Sequence, residues 1–116
     1  MPAKSVKLET SYAVGAGDVS LTVIVGNAQF GTHLVKLDGQ QLAIGDVSEL
    51  TVPADGGLQG KTLTVKSIVT DINDMTNITN LRYVLTGGAD DAQHDLEATV
   101  DREGDSAVYR ATFHLV

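Results

Sequence analysis

The stretch KTLTVKSIVT, residues 61–70, indicates the fold class of this 116-residue chain. Leu63, Val65, Ser67 and Val69 form one row of alternate side chains, and the other row is mostly threonine. A period of two matches the spacing of side chains on the two faces of a β-strand. Six of the ten residues are β-branched, and such side chains suit a pleated, half-buried surface. The stretch therefore predicts a long strand with one buried face.

The same alternation recurs along the rest of the chain, interrupted by short turns rich in glycine and aspartate. An Asp38-Gly39 dipeptide between two such runs predicts a type I′ hairpin turn, which needs positive φ at both central residues. Seven or eight short strands in one chain predict an antiparallel, immunoglobulin-like β-sandwich, with a small closed or partly open barrel as the alternative. We assign residues 1–116 to a single domain. The other predicted strands lie at residues 6–14, 19–25, 32–37, 40–44, 48–52 and 81–86 and in a closing pair.

The closing pair of strands allows a prediction of register. If residue 100 pairs with residue 107, Glu97 faces Arg110 on the outside and Ala98 faces Tyr109 on the inside. Opposite charges and apolar partners would then match across the two strands. We therefore predict a hairpin here. Just before it, residues 88–94 are the one stretch compatible with a helical turn.

The charge balance argues against polyanionic partners. Eight Lys and Arg against fifteen Asp and Glu leave a net charge of −7. Binding to nucleic acid or to an anionic membrane surface requires clustered cations, and here the cations are scattered along the sequence. No run of about 20 apolar residues is present to span a membrane. We predict neither a nucleic-acid partner nor a membrane partner.

Several chemistries have no residues to support them. The chain contains no cysteine, which excludes disulfides, thiol catalysis and cysteine-based zinc sites. It also lacks the motifs of serine nucleophiles and phosphate-binding loops. Residues 1–5 are not followed by an apolar segment, so we expect no signal peptide and place the protein in the cytoplasm by default.

A polar loop after residue 70 is the candidate cation site. Asp71, Asn73 and Asp74 place side-chain oxygens at short spacing, and Asp90 and Asp91 could join them. Clustered oxygens of this kind suit calcium, which is the one cofactor that the sequence suggests. The alternative is a loop whose Asx side chains bond to their own backbone.

His94 is the best candidate for a general base, because acidic residues lie close to it in the sequence. It would support a small hydrolase-like enzyme. The alternative is a structural polar residue on a strand. No pair of histidines has the spacing of a zinc motif. Because the motifs of serine nucleophiles and phosphate-binding loops are also lacking, we predict a protein without enzymatic activity.

Some predicted strands are apolar on both faces. Ile24, Val84, Val108 and Val116 fall on rows that a simple sandwich would leave polar. Either loops cover these side chains or another chain does. The leading prediction is therefore a non-enzymatic interaction or structural module that contacts a protein partner, or a second copy of itself, through sheet edges or faces. The alternative is a calcium-dependent binding module.

Overall fold

Nine β-strands and no helix make up residues 4–116, the part of the chain that the computed structural model describes. The first three residues of the segment assessed for a signal peptide lie outside this range. Within it, no helix could cross a membrane. The strands are β1 (Lys4–Tyr12), β2 (Val19–Val25), β3 (Phe30–Leu37), β4 (Gln40–Gly45), β5 (Leu50–Val52), β6 (Thr62–Thr70), β7 (Ile78–Thr86), β8 (Ala92–Thr99) and β9 (Ser106–Leu115).

The strands form two sheets that pack face to face. One has the order β1-β9-β6-β3-β4 and the other the order β5-β2-β7-β8. The sandwich prediction is confirmed, and the two sheets do not close into a barrel. One pairing differs from the antiparallel expectation, because β1 runs parallel to β9. A parallel pairing is possible here because β1 and β9 are the first and last strands, so the whole intervening chain connects them rather than a tight turn.

Alternate side chains of both sheets form the core. On β6, Leu63, Val65, Ser67 and Val69 are all buried, as their alternation predicts. The large rings come from the other strands: Tyr83 of β7 and Phe113 of β9 meet edge to face, with centroids 5.8 Å apart.

Two buried tyrosines differ in how their hydroxyls are satisfied. The Tyr109 hydroxyl lies 2.6 Å from the Thr79 hydroxyl oxygen and 3.1 Å from the Thr79 carbonyl oxygen, and it directs its single proton at these two acceptors. The Tyr83 hydroxyl is buried with no partner in hydrogen-bonding geometry. Burial raises the pKa of Tyr83 to about 12, and the Ser67 hydroxyl opposes this shift only in part. The Tyr109 hydroxyl therefore links the two sheets by hydrogen bonding, whereas Tyr83 contributes to the core through the packing of its ring.

The predicted hairpin between the last two strands is wrong. β8 pairs with β7, while β9 lies in the other sheet between β1 and β6. Glu97 lies opposite Asn80, and Arg110 lies between Lys7 and Lys66. The residues after β8 therefore cross from one sheet to the other. The predicted register matched charges and apolar side chains, but other strands with the same period satisfy the alternation equally well.

The Asp38-Gly39 turn is confirmed, and the helical turn at residues 88–94 is wrong. Asp38 and Gly39 both have positive φ, at 49° and 83°, and join β3 to β4. The Asp38 carboxylate also accepts a hydrogen bond from the Thr62 N–H at 2.8 Å. β8 already begins at Ala92, because its alternating side chains pair with the end of β7.

Candidate functional site

The four predicted interface residues do not form one patch. Ile24 and Val84 lie on the outer face of the four-stranded sheet, and Val108 lies on the outer face of the five-stranded sheet. Val116 follows the last strand and is 51% exposed. The structure thus divides these residues between two opposite surfaces, and each surface has its own character.

One cross-strand row on the outer face of the five-stranded sheet runs across all five strands. Lys7 of β1 lies beside Arg110 of β9, which lies beside Lys66 of β6. Leu34 of β3 and Ile44 of β4 continue the row. Three cations are therefore direct neighbours, followed by two aliphatic side chains. We call this set the cationic row.

The rows on either side of the cationic row add further cationic and apolar side chains. On one side Val108 lies opposite Ile68, and on the other Lys36 lies opposite Thr64. Among the outward-facing strand residues that the structure describes on this sheet, Glu9 is the only carboxylate, and its Oε2 lies 2.7 Å from His114 Nε2. This face is thus positive although the chain as a whole carries −7.

The cations scattered in the sequence are therefore partly gathered in the fold. Half of the eight Lys and Arg residues share this one face, although they come from four different strands. Sequence reasoning missed the cluster because strand partners far apart in the chain bring these residues together. The only signal in the sequence was the alternation of each strand, which places these lysines on its outward row.

A shallow groove of about 240 Å³ runs over the same face. Thr64 and Thr112, whose side chains are short, lie along it. Lys36, Lys66, Arg110 and Leu34 also line it. Such a groove can accept the side chains of a partner while its cations bind carboxylates at the rim.

The outer face of the four-stranded sheet is more acidic. Arg82 Nε donates to Asp95 Oδ1 at 2.7 Å, and this pairing lowers the pKa of the Asp95 carboxyl. A second groove, of about 480 Å³, lies on this face. Asp95, Glu97 and Ile24 line it. Val84 is half-buried beside them. This face therefore combines apolar side chains with carboxylates.

The structure places the residues of the predicted calcium loop in different surroundings. Asn73 donates to the Asn27 carbonyl at 2.8 Å and accepts from the Met75 N–H at 3.0 Å, so its side chain caps the loop. Asp74 is exposed, and Asp71 is fully buried. In the described part of the chain, no group of three or more His, Asp or Glu residues is arranged to hold a metal. Asp90 and Asp91 follow β7, whereas Asp71 directly follows β6.

His94 is separated from its acidic neighbour in the sequence by the alternation of β8. Its ring packs against Phe113 with centroids 5.8 Å apart, on the inner face of the sheet. Asp95 projects outward and bonds to Arg82. The alternation that makes β8 a strand thus places the two groups on opposite faces.

A buried His-Ser pair is a polar feature that sequence reasoning did not single out. His33 Nδ1 lies 2.7 Å from Ser67 Oγ, and both residues are buried. Burial lowers the pKa of His33, and Asp46 opposes this shift in part. Both residues lie on inward rows, which was the available signal. Ser67 is fully enclosed, so the hydroxyl serves as a partner for the imidazole within the core.

A cleft of about 510 Å³ opens beside His33. Val23 and Val25 line it on the β2 side, and Asp46 and Ser48 line it on the other. Because Nδ1 is held by Ser67, the opposite edge of the imidazole faces away from that hydroxyl.

No family model, curated protein or solved structure matches this chain.

Proposed function

We propose that this protein is a non-enzymatic interaction module that binds an acidic protein surface through the outer face of its five-stranded sheet, in the way immunoglobulin-like sandwiches use sheet faces. One observation supports this proposal above all. Lys7, Arg110 and Lys66 are adjacent on three paired strands, and the same row continues into Leu34 and Ile44.

Charge repulsion within the cationic row destabilises the fold of the isolated protein. Like charges at directly opposed positions of a sheet destabilise it. Within residues 4–116, the side chain of Arg110 makes one hydrogen bond, from Nη1 to Ser5 Oγ at 3.3 Å. Carboxylates from a partner would turn this repulsion into attraction. The face would also steer acidic partners, because it is positive in a chain that is otherwise negative.

The exposed apolar side chains favour a protein as the partner. Ile44 is 70% exposed and Ile68 is 37% exposed. Burying aliphatic groups among charges is typical of protein interfaces, which have an apolar centre and a polar rim. Nucleic acid is bound mainly through phosphate contacts, to which these isoleucines would add little.

A second copy of the chain is a specific candidate for the partner. The outer face of the four-stranded sheet carries Ile24 and Val84 beside Asp95 and Glu97. This face is complementary in charge to the cationic row. Because the two faces differ, stacking them would be a heterologous contact, which builds rings or open chains of molecules.

A labelled peptide of alternating Glu and Leu tests the proposal, with a Lys-Leu peptide of equal length as the control. We expect fluorescence anisotropy to show binding of the Glu-Leu peptide alone, and the binding should weaken as salt is added. Lys66→Ser should lower the affinity several-fold. Lys61→Ser removes the same charge outside the row and should leave the affinity unchanged. Equal loss in both variants, or equal binding of both peptides, would contradict the proposal.

Light scattering behind a sizing column distinguishes the homotypic form. If a second copy is the partner, the molar mass should rise with concentration at low salt and fall at high salt. Glu97→Gln should then reduce assembly, because Glu97 belongs to the acidic face. A monomer at every concentration would reject the homotypic form, and the peptide experiment would still decide on the acidic partner.

A further inference from the structure

Asp71 is the least satisfied polar residue in the described part of the core. The residue is 0% exposed, and neither Oδ1 nor Oδ2 has a hydrogen-bond partner. A carboxylate removed from water costs several kcal/mol unless a charge or hydrogen bonds compensate it. Buried polar groups without partners are rare in native structures, and an ion or an ordered water is a common reason for one. The Asp71 carboxylate is therefore available to bind an ion.

A second carboxylate lies opposite Asp71. β6 and β9 pair up to Thr70 and Ser106, and the Asp71 N–H then donates to the Asp105 carbonyl at 2.9 Å. The side chains two residues further in, at Val69 and Ala107, are both buried. Because strand side chains alternate, Asp71 and Asp105 point to the same inner face. The side chain of Asp105 is only 10% exposed.

The local backbone holds this pair of residues together. The Gly104 N–H donates to the Asp71 carbonyl at 2.8 Å, and the Asp105 N–H donates to the Arg102 carbonyl at 3.1 Å. Among the described residues, Arg102 pairs with Asp105, with its Nε 4.0 Å from Asp105 Oδ1. Its side chain is 67% exposed. Two carboxylates and one guanidinium thus lie close to one another at this end of the sandwich.

We propose that the carboxylates of Asp71 and Asp105 bind a calcium ion at this end of the sandwich. Calcium accepts six to eight oxygen ligands in irregular geometry, which carboxylates, backbone carbonyls of an irregular segment and waters can supply. Magnesium demands a near-ideal octahedron and should bind more weakly. This ligand set differs from the one expected from the sequence, because Asn73 caps its own loop and Asp74 is exposed. The proposal does not depend on the cationic row.

Thermal unfolding of the full chain in calcium and in chelator tests the site. A ligand that binds only the folded state raises its stability by mass action. We expect calcium, added after chelation, to raise the melting temperature by several degrees in a saturable way, and magnesium to do so less. Asp71→Asn should abolish the calcium response. The same variant should melt no lower than the wild type in chelator, because it removes a buried carboxylate without changing its shape.

Two further variants make the result specific. Asp105→Asn should also abolish the response, and it keeps the test decisive if Asp71→Asn fails to fold. Asp74→Asn is the matched control in the same loop, and it should keep the full response because its side chain is exposed. Calorimetric titration with calcium chloride should show one site per chain. Equal melting of the wild type in calcium and chelator would overturn the proposal, and so would a response that survives in both Asp71→Asn and Asp105→Asn.

Discussion

The hydroxyl oxygens of Tyr109 and Thr79 lie 2.6 Å apart and join β9 of one sheet to β7 of the other. Both residues are fully buried. The Thr79 hydroxyl donates its proton to the Ala98 carbonyl at 2.8 Å and accepts from Tyr109, so the hydrogen-bonded chain extends to β8. Tyr83 is equally buried, but its hydroxyl has no such partner. The two buried tyrosine hydroxyls should therefore contribute differently to the free energy of unfolding.

Removing these two hydroxyls should have different effects on stability. Tyr109→Phe should lower the free energy of unfolding by about 1–2 kcal/mol, because it breaks a buried hydrogen bond and leaves a partner unpaired. Tyr83→Phe should change it by less than about 0.5 kcal/mol or raise it, because no bond is lost. Urea unfolding of both variants measures the difference. A larger loss in Tyr83→Phe would contradict this account of the core.

The repulsion within the cationic row predicts a substitution that stabilises the fold. Lys66→Thr removes a charge opposite Arg110 and adds a β-branched residue to a central strand. The free energy of unfolding should rise by roughly 0.2–1 kcal/mol at low salt, and the gain should shrink at high salt. Lys36→Thr is the control on the same face, since Lys36 faces Thr64. Similar gains in both variants would show that strand propensity, and not the charge, is responsible.

The buried His33 predicts a loss of stability on acidification. Burial lowers its folded-state pKa below the ordinary value of 6.5. The unfolded chain therefore takes up the proton first as the pH falls. The contribution of His33 is complete above pH 6.5, declines below it, and levels off once the folded state is also protonated.

A variant that does not titrate isolates this contribution. His33→Gln can still bond to Ser67, but it carries no ionisable group. Between about pH 7.5 and about pH 5.5, the wild type should lose more unfolding free energy than this variant. The carboxylates titrate in both proteins, so their effect cancels in the comparison. Parallel pH profiles would refute the role assigned to His33.

The β3–β4 turn predicts a glycine substitution that is harmful at one position and tolerated at another. Gly39 has a φ of 83°, which an alanine adopts only with strain. Gly39→Ala should lower the free energy of unfolding by about 1 kcal/mol or more. Gly17 has no positive φ and no atom within 4 Å of an added Cβ, so Gly17→Ala should be close to neutral. Chemical denaturation checks both, and equal effects would contradict the turn assignment.

Local patterns in the sequence predicted much of the fold. Strand β2 has the expected bounds, and β6 begins one residue later than its stretch of sequence. The inward row of β6 is buried as expected, and the Asp38-Gly39 turn has the expected φ values. These features depend on neighbours in the chain, where side-chain period and glycine or aspartate conformations act directly.

The candidate sites were predictable only in part. The sequence suggested Asp71 as a cation ligand, but not its pairing with Asp105, because 34 residues separate them and only the β6–β9 pairing brings them together. The cationic row was missed for the same reason. His94 and the acidic residues near it were close in sequence, yet the alternation of β8 places Asp95 on the opposite face.

The sequence by itself determined that this is an all-β protein, which residues face inward, and where several strands end. A two-residue period and the φ preferences of turn residues are local properties, and they hold whatever the partner strands are. Only the tertiary structure decided that β8 and β9 belong to different sheets, and that Lys7, Arg110 and Lys66 meet. Strand pairing is a long-range choice among many partners with the same period, and packing of the whole core selects one of them.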